Sequence, residues 1–230
     1  MKQAVSLTRS GLTTPRAAAI AGIVFSVLLI ISLVLIRVSV PDDPQDAGTW
    51  LPRSWKNVNL ALHLLPFSGI AFLWFIGVLR DRIGPYEDRF FATVFLGSGL
   101  LFLAMLFTMA AVAGGIIMIY GAAPATLMAS GLYQFGRTVT QQIMQVYTMK
   151  MAGVFMISTC TISIRTGIFP RWMAFLGYAL ALLLLLSLGY LLWITLVFPL
   201  WVLLISVHIL LANFKPGLAP LLKEPNQMNQ

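Results

Sequence analysis

The run RWMAFLGYALALLLLLSLGYLLWITLVFPLWVLLISVHILLANF, residues 171–214, has one arginine at its first position and no acidic residue. As a single helix it would extend for roughly 65 Å, about twice the thickness of the hydrocarbon core of a bilayer. The run therefore predicts two membrane-spanning helices joined by a tight hairpin, with the turn near residues 189–193.

Four further apolar runs precede this one. Together the predicted spans are 17–36, 58–79, 90–115, 138–164, 171–190 and 194–213. We therefore predict an all-α, polytopic transmembrane helical bundle of six spans over residues 17–214, flanked by segments 1–16 and 215–230.

The third run raises a question of length. Apolar sequence continues from Phe90 to Tyr120, which corresponds to roughly 46 Å of helix. We expect this helix to tilt, or to break near Gly114 and Gly115. The uncharged segment that follows, residues 122–136, is typical of a short interfacial helix or a re-entrant segment.

The composition supports a lipid environment. Hydrophobic residues make up 59% of the chain and charged residues 10%, and the mean hydropathy is +0.90. A soluble domain carries about 25% charged residues, so most of this surface is not built to face water. The net charge of +8 is explained by bases that flank the apolar runs, next to anionic lipid headgroups. We expect membrane lipids as partners and no nucleic acid.

The basic residues also predict an orientation. One set of connections and both ends hold Lys2, Arg9, Arg16, Arg80, Arg82, Arg89, Arg165, Arg171, Lys215 and Lys223. The alternate connections hold Arg37, Arg53, Lys56 and Arg137. Because cytoplasmic loops carry the excess of Lys and Arg, six spans with both termini in the cytoplasm satisfy the bias.

Residues for membrane chemistry are scarce. All seven acidic residues lie outside the predicted spans, which disfavours a carboxylate-based proton or cation carrier and an intramembrane aspartyl protease. No phosphate-binding, zinc-protease or serine-hydrolase motif occurs. We therefore expect no catalytic residue, no cofactor and no metal site. His63 and His208 are weak candidates, because the six-span arrangement places them at depths that differ by roughly 12 Å.

Lys150 is the most distinctive single residue, because it lies near the middle of the fourth span. A cation there costs at least roughly 2.5–3.5 kcal/mol on insertion scales. We expect it to be neutral, to line a wet cavity, to bind a lipid or substrate anion, to meet an acid on a partner subunit, or to reach an interface along its own stem.

The fourth span also carries a polar stripe. At 100° per residue one line collects Arg137, Thr138, Gln141, Gln145, Thr148, Ala152, Thr159 and Ser163. Two interpretations stay open: hydrogen bonds that hold helices together, or the lining of a substrate or ion path. Lys150, Gln141, Gln145, Thr148 and Arg137 are the candidate pathway or partner contacts.

Small residues recur at the spacing that lets helices approach closely. The pairs are Ala18 with Gly22, Ala110 with Gly114, Ala111 with Gly115, and Gly177 with Ala181. We expect these pairs to pack helices together and not to carry activity.

Three stretches at the predicted span borders carry a resemblance. They are FLWFIGVLR at 72–80, FFAT at 90–93 and FPRW at 169–172. Over roughly residues 17–213 the chain resembles uncharacterised multi-pass bacterial membrane proteins. The resemblance implies a protein of the bacterial cytoplasmic membrane with no assigned activity, so no functional residues carry over.

These observations favour an integral membrane protein with a binding, scaffolding or accessory role, with a protein partner or a second copy on the fourth span. The alternative is a transporter or channel for a small solute or anion, with its path along the fourth span. A lipid-acting enzyme ranks third, because the spans offer no general base.

Overall fold

The computed structural model describes residues 14–41, 43, 46–83, 89–167, 169–187 and 193–214, and within them the chain is all-α. The helices are α1 (Thr14–Ser39), α2 (Leu51–Ile83), α3 (Arg89–Ala122), α4 (Pro124–Ala129), α5 (Leu132–Gln142), α6 (Met149–Thr166), α7 (Arg171–Leu186) and α8 (Val197–Phe214). A π-helical segment, Ile143–Thr148, joins α5 to α6, and a short 3-10 turn, Ile194–Leu196, leads into α8. The all-α prediction is confirmed.

Four stretches are long and apolar enough to cross a membrane: Ala17–Ser39, Leu51–Arg80, Phe90–Ala122 and Ile194–Ala212. They coincide with the first, second, third and sixth predicted spans. The chain is therefore a multi-pass helical membrane protein with four candidate spans.

The fourth and fifth predicted spans are helical but less clear-cut. The fourth lies in a continuous helical rod formed by α5, the π-helical segment and α6, here called the 132–166 rod. Lys150 and Arg165 make α6 less apolar than the four candidate spans. The fifth corresponds to α7, whose 16 residues extend for about 24 Å, short of the bilayer core.

Several predicted boundaries can be compared with the helices. α3 runs through Gly114 and Gly115 without a break, so of the two expectations for this helix the break is wrong. The segment 122–136 contains the short helix α4. α6 ends at Thr166, two residues beyond the predicted 164. Gly167 follows it, and its φ of 69° and its N–H bond to Ser163 O (2.7 Å) form a left-handed helix cap. Of the predicted turn at 189–193, only Trp193 lies within the described residues. Residues 1–13 and 215–230 lie outside them.

Aromatic rings join five helices at the centre of the bundle. The Phe72 ring of α2 lies between the rings of Phe25, Phe155, Phe102 and Phe198, with centroid distances of 4.5, 5.2, 5.3 and 5.7 Å. These rings, here called the phenylalanine cluster, come from α1, α6, α3 and α8 and are fully buried. Because lipid gives no hydrophobic drive for helices to associate, this packing is a main source of cohesion.

The small-residue pairs divide into two groups. Gly22 approaches Phe75 and Ser206, and Gly177 approaches Trp201 and Cys160, so these two pairs lie in helix contacts as predicted. Gly114 and Gly115 have no neighbouring atom within 4 Å of a Cβ position. Gly114 and Gly115 therefore make no close helix contact among the described residues, although Ala110 of the same helix packs against the core.

Candidate functional site

A cavity of about 180 Å³ lies where α1 ends and α2 begins. Its walls come from α1, α2, α3, the 132–166 rod and the 193–196 turn. We call this side of the bundle the Arg137 end. The opposite side is the Arg165 end, where the Arg165 guanidinium lies 4.9 Å from the Phe91 ring centroid.

Arg137 is the charged residue that links the cavity to the loop between α1 and α2. Its side chain is buried, 6% exposed, and Nη2 donates to Pro41 O at 2.7 Å. Nη1 donates to Asp46 O at 3.3 Å and to the Tyr133 hydroxyl at 3.5 Å. Its Nε, also buried, bonds to no acceptor among the described residues. The guanidinium therefore holds the loop onto α5 with part of its donor capacity unused.

The Tyr133 hydroxyl receives a second donor. Trp50 Nε1 donates to it at 2.8 Å, and Tyr133 itself is 2% exposed. Indole and guanidinium N–H groups only donate, so the phenol accepts both bonds and keeps its own proton for another acceptor. Trp50, Tyr133 and Arg137 all line the cavity, and together they form a cluster of donors in its wall.

Asp46 stands behind this cluster, outside the cavity lining. Its Oδ1 lies 3.9 Å from Arg137 Nη1, too far for a hydrogen bond. The carboxylate instead accepts from the Thr49 hydroxyl at 2.7 Å and from the Gly48 and Thr49 N–H groups. The Asp46 pKa lies below its usual 3.8, and the hydrogen bond from the Thr49 hydroxyl is the largest cause. Partial desolvation acts in the opposite direction and raises the pKa. The aspartate therefore closes its own turn and balances Arg137 only loosely.

The remaining walls mix one more cation with apolar and amide groups. Arg37 lines the cavity, with its guanidinium carbon 6.0 Å from the Trp193 ring centroid, at the outer limit of the range for a cation–π contact. Gln141 and Gln145 from the rod also line it. The apolar walls are supplied by Leu33, Ile36, Val58, Leu62, Met109, Ile116, Ile117 and Met144.

The structure therefore brings three of the sequence candidates together, namely Arg137, Gln141 and Gln145. Thr148 does not line the cavity. It is buried, and its hydroxyl donates to Ile143 O at 2.8 Å, an i to i−5 bond within the π-helical segment. Because a π-helical turn holds one residue more than an α-helical turn, it rotates α6 relative to α5.

Lys150 lies apart from the cavity and has its own partners. Its Nζ donates to the carbonyl oxygens of Leu185 and of Ser187, the latter at 3.1 Å. Both carbonyls belong to the end of α7, where backbone acceptors have no helical partner. A cation at a helix C-terminus is also favoured by the helix dipole. The lysine thus pairs with backbone oxygens, an arrangement that sequence reasoning did not include.

The hydroxyls of the polar stripe bond mainly within their own helix. Thr159 donates to Phe155 O at 2.7 Å, while Ser163 accepts the N–H of Phe169 from the connection to α7 at 3.2 Å. A clear helix-to-helix bond joins Thr161, outside the stripe, to the Tyr178 hydroxyl at 2.7 Å. Stripe hydroxyls therefore contribute less between helices than the first interpretation expected.

The histidines and the cysteine stay outside the site. His63 is exposed, and its Nδ1 lies 2.7 Å from Asn59 O; because a carbonyl only accepts, that nitrogen carries the proton. His208 is half-buried on α8. Cys160 is buried in the core. Among the described residues, no group of three or more His, Cys, Asp or Glu side chains could hold a metal ion.

The phenylalanine cluster lies deeper in the bundle than the cavity. Phe102 precedes the cavity residue Met109 by seven positions on α3, which corresponds to about 10 Å along the helix. The rings of Phe102 and Phe198 are 4.7 Å apart, and those of Phe155 and Phe198 are 5.9 Å apart. Closely packed rings of five helices thus separate the cavity from the Arg165 end.

Sequence reasoning missed the aromatic part of this site. It gave no role in this site to Trp50, Tyr133 or Trp193. The available signal was the spacing of Tyr133 and Arg137. Tyr133 is the single tyrosine of the uncharged segment before Arg137, and it lies one helical turn from this arginine, the only one in residues 122–164. Pairing that turn with the α1–α2 loop required the tertiary structure.

No model of a known protein family matches the chain, no curated protein is significantly similar to it, and no solved structure matches it. The comparisons therefore identify no family, and the description remains that of a multi-pass helical membrane protein.

Proposed function

We propose that this protein is an integral membrane binding protein whose ligand site is the cavity at the Arg137 end. The observation that carries the proposal is a cluster of three residues in the wall of an apolar cavity. In it, Trp50 and Arg137 both donate hydrogen bonds to the phenol oxygen of Tyr133. Pockets that combine apolar walls with a few convergent polar groups are typical of small-molecule sites.

We propose that the chain crosses the membrane six times, with both termini in the cytoplasm. In the 132–166 rod, Arg137 and Arg165 are 28 positions apart, which corresponds to about 42 Å and fits the distance between the headgroup layers. In this proposal α7 forms the fifth span. The ten-to-four distribution of bases supports a cytoplasmic Arg165 end, and the resemblance favours a bacterial cytoplasmic membrane.

We propose no catalytic role for the chain. The acidic residues that could act as a general base lie outside the four candidate spans, and Asp46 is committed to its own turn. Within the described helices, the cavity is lined by cations, amides, hydroxyls and apolar groups. That set suits binding better than proton transfer.

A scaffolding or accessory role adds a protein partner or a second copy of the chain on the fourth span. The observation in its favour is the exposure of Leu132, Phe135 and Tyr147 along the 132–166 rod. Lys150 gives no support to a partner acid, because α7 carbonyls already accept from it. Crosslinking in native membranes tests this part of the proposal, and a strictly monomeric protein contradicts it.

The second candidate is a transporter or channel for a small solute or anion. The observation in its favour is that Arg137, Gln141 and Gln145 of one rod line the same cavity. A continuous path would also have to pass the phenylalanine cluster, whose rings are closely packed. Binding is therefore the better supported function. Anion flux into liposomes that contain the purified protein, measured above that of empty liposomes, would favour transport.

The binding proposal is tested by filling the cavity. Ala113 lines the cavity, whereas Ala111 on the same helix is exposed. We expect native mass spectrometry of wild-type protein from native-lipid nanodiscs to show a retained small molecule. Ala113→Phe should lose it and Ala111→Phe should keep it. Equal retention by both variants, or no retained molecule in the wild type, would overturn the proposal.

A further inference from the structure

We infer that the ligand of this cavity is an organic anion with an apolar body, bound by its headgroup at Tyr133 and Arg137. The inference rests on the proposed binding function and adds the chemical class of the ligand. It follows from the hydroxyl proton of Tyr133, which has no acceptor among the described residues, from the charge of the cavity wall and from the apolar lining.

The Tyr133 hydroxyl proton is the first argument. The phenol oxygen accepts from Trp50 Nε1 and Arg137 Nη1, both of which are donor-only groups. Among the described residues, no acceptor takes the proton of this hydroxyl. Two donors on the oxygen polarise the O–H bond and strengthen it as a donor. A negatively charged oxygen in the cavity is the acceptor that this arrangement fits best.

The charge of the wall is the second argument. The cavity lining contains two guanidinium groups, Arg37 and Arg137, and no carboxylate. Asp46 stands behind Arg137 with its oxygens bonded to Gly48 and Thr49. A cationic ligand would meet the guanidinium of Arg137, whose donor capacity is only partly used. A neutral ligand would leave the polarised hydroxyl without a charged acceptor.

The apolar walls give the third argument. Leu33 and Ile36 of α1, Leu62 of α2 and Met109 of α3 give the cavity apolar walls. An inorganic anion could not cover these walls, and a bare apolar molecule would not use the donors. A phosphate or carboxylate on an alkyl or aryl body satisfies both parts. Such a molecule is either a free amphiphile or an anionic lipid of the surrounding leaflet.

The experiment uses the full-length protein in phosphatidylcholine nanodiscs and four probes: octyl phosphate, octanol, octyltrimethylammonium and inorganic phosphate. Trp50 and Trp193 line the cavity, so tryptophan emission reports occupancy. We expect octyl phosphate to bind at least about ten-fold more tightly than each of the other probes. Equal affinity for octyl phosphate and octanol overturns the assignment of an anion, and binding of inorganic phosphate alone overturns the apolar body.

The headgroup contact is tested with Tyr133→Phe, which keeps the ring and removes the hydroxyl. We expect octyl phosphate affinity to fall about ten-fold while octanol affinity stays unchanged. Tyr120→Phe is the matched control, because Tyr120 lies on α3 outside the cavity lining. Unchanged octyl phosphate affinity in Tyr133→Phe overturns the headgroup assignment. The comparison of probes on the wild type decides the ligand class even where the variant folds poorly.

The outcomes separate this inference from the proposed function. If no probe binds and no retained molecule is found, the cavity is not a ligand site and the proposed function fails. If octanol or octyltrimethylammonium binds best, the site exists and only the ligand class is wrong. Phosphatidylglycerol added to the nanodiscs distinguishes the sources: competition with octyl phosphate identifies an anionic lipid, and its absence identifies a free amphiphile.

Discussion

Lys150 Nζ donates a hydrogen bond to Ser187 O at 3.1 Å, joining the middle of the 132–166 rod to the end of α7. Leu185 O, two residues earlier, accepts from the same ammonium. α7 ends after 16 residues, and the carbonyls of its last turn have no donor within the helix. The lysine supplies donors to these carbonyls, so the position of the ammonium group and the bonding of the α7 end have one explanation.

Lys150→Met should therefore destabilise the fold. Unfolding in the membrane leaves the lysine inserted, so its insertion cost largely cancels between the two states. What remains is the loss of donors to two carbonyls, which we expect to cost about 1–3 kcal/mol. The free energy of unfolding in mixed micelles with increasing SDS measures the change. Lys150→Arg, which keeps the donors, should be closer to wild type.

The matched control for this change is Lys56→Met, because Lys56 is exposed at the Arg137 end. Its contact with the Trp55 ring, 5.9 Å to the centroid, is at the long edge of the range for a cation–π interaction. We expect Lys56→Met to change the free energy of unfolding by less than about 0.5 kcal/mol. A loss of stability in Lys56→Met as large as that in Lys150→Met would contradict the capping role.

Phe72 should be the most sensitive aromatic residue of the bundle. Its ring contacts the rings of Phe25, Phe102, Phe155 and Phe198, so removal leaves a void shared by five helices. We expect Phe72→Ala to lower the free energy of unfolding by about 3–5 kcal/mol. Phe67→Ala on the same helix is the control, because Phe67 is 62% exposed and should cost far less. Equal losses for both variants would show that the cluster is not the centre of cohesion.

Two glycines that are hard to distinguish in the sequence should respond oppositely to alanine. A Cβ at Gly177 would approach Trp201 Nε1 to 2.7 Å and also meet Cys160, so we expect Gly177→Ala to cost about 1–3 kcal/mol through overpacking. Gly115 has open space around it, and alanine is the better helix former by about 1 kcal/mol. Gly115→Ala should therefore be neutral or stabilising. The free energies of unfolding of the two variants check the prediction, and a large loss in Gly115→Ala would reveal a partner surface on α3.

The sequence predicted the elements that depend on hydropathy. The four most apolar stretches appear as helices at the expected places, because burial in lipid is decided by composition and length. It could not predict where α7 ends, since that depends on Lys150 reaching its carbonyls from another helix. It also could not place the π-helical segment 143–148, which has no composition signal and is fixed by the packing on both sides.

The candidate site was predicted in part, for a similar reason. Arg137, Gln141 and Gln145 stood out because polar residues are costly in a span, and they do share a cavity. Their partners Trp50 and Tyr133 did not stand out, because aromatic residues are common at membrane borders. Bringing them together depends on the bond between residues 83 positions apart, which one sequence does not reveal.

Acidification should loosen the Arg137 end through Asp46. The Asp46 pKa lies below its usual 3.8, first because the Thr49 hydroxyl donates to the carboxylate. A lowered pKa in the folded state means that the contribution of Asp46 to stability is complete above that usual value. It is lost as the pH falls through the lower folded-state pKa. Since Asp46 O also accepts from Arg137, Trp50 emission should report the change in acid.

Two variants test this assignment. Thr49→Val removes the largest cause of the lowered pKa, so the acid-induced change in Trp50 emission should move to higher pH, nearer 3.8. Asp46→Asn removes the titrating group, and we expect the change to disappear, with a lower stability at neutral pH because the amide replaces a charged acceptor. An emission change that stays at the same pH in Thr49→Val and persists in Asp46→Asn would assign the titration to another group. Trp50 would then be reporting on a different part of the loop.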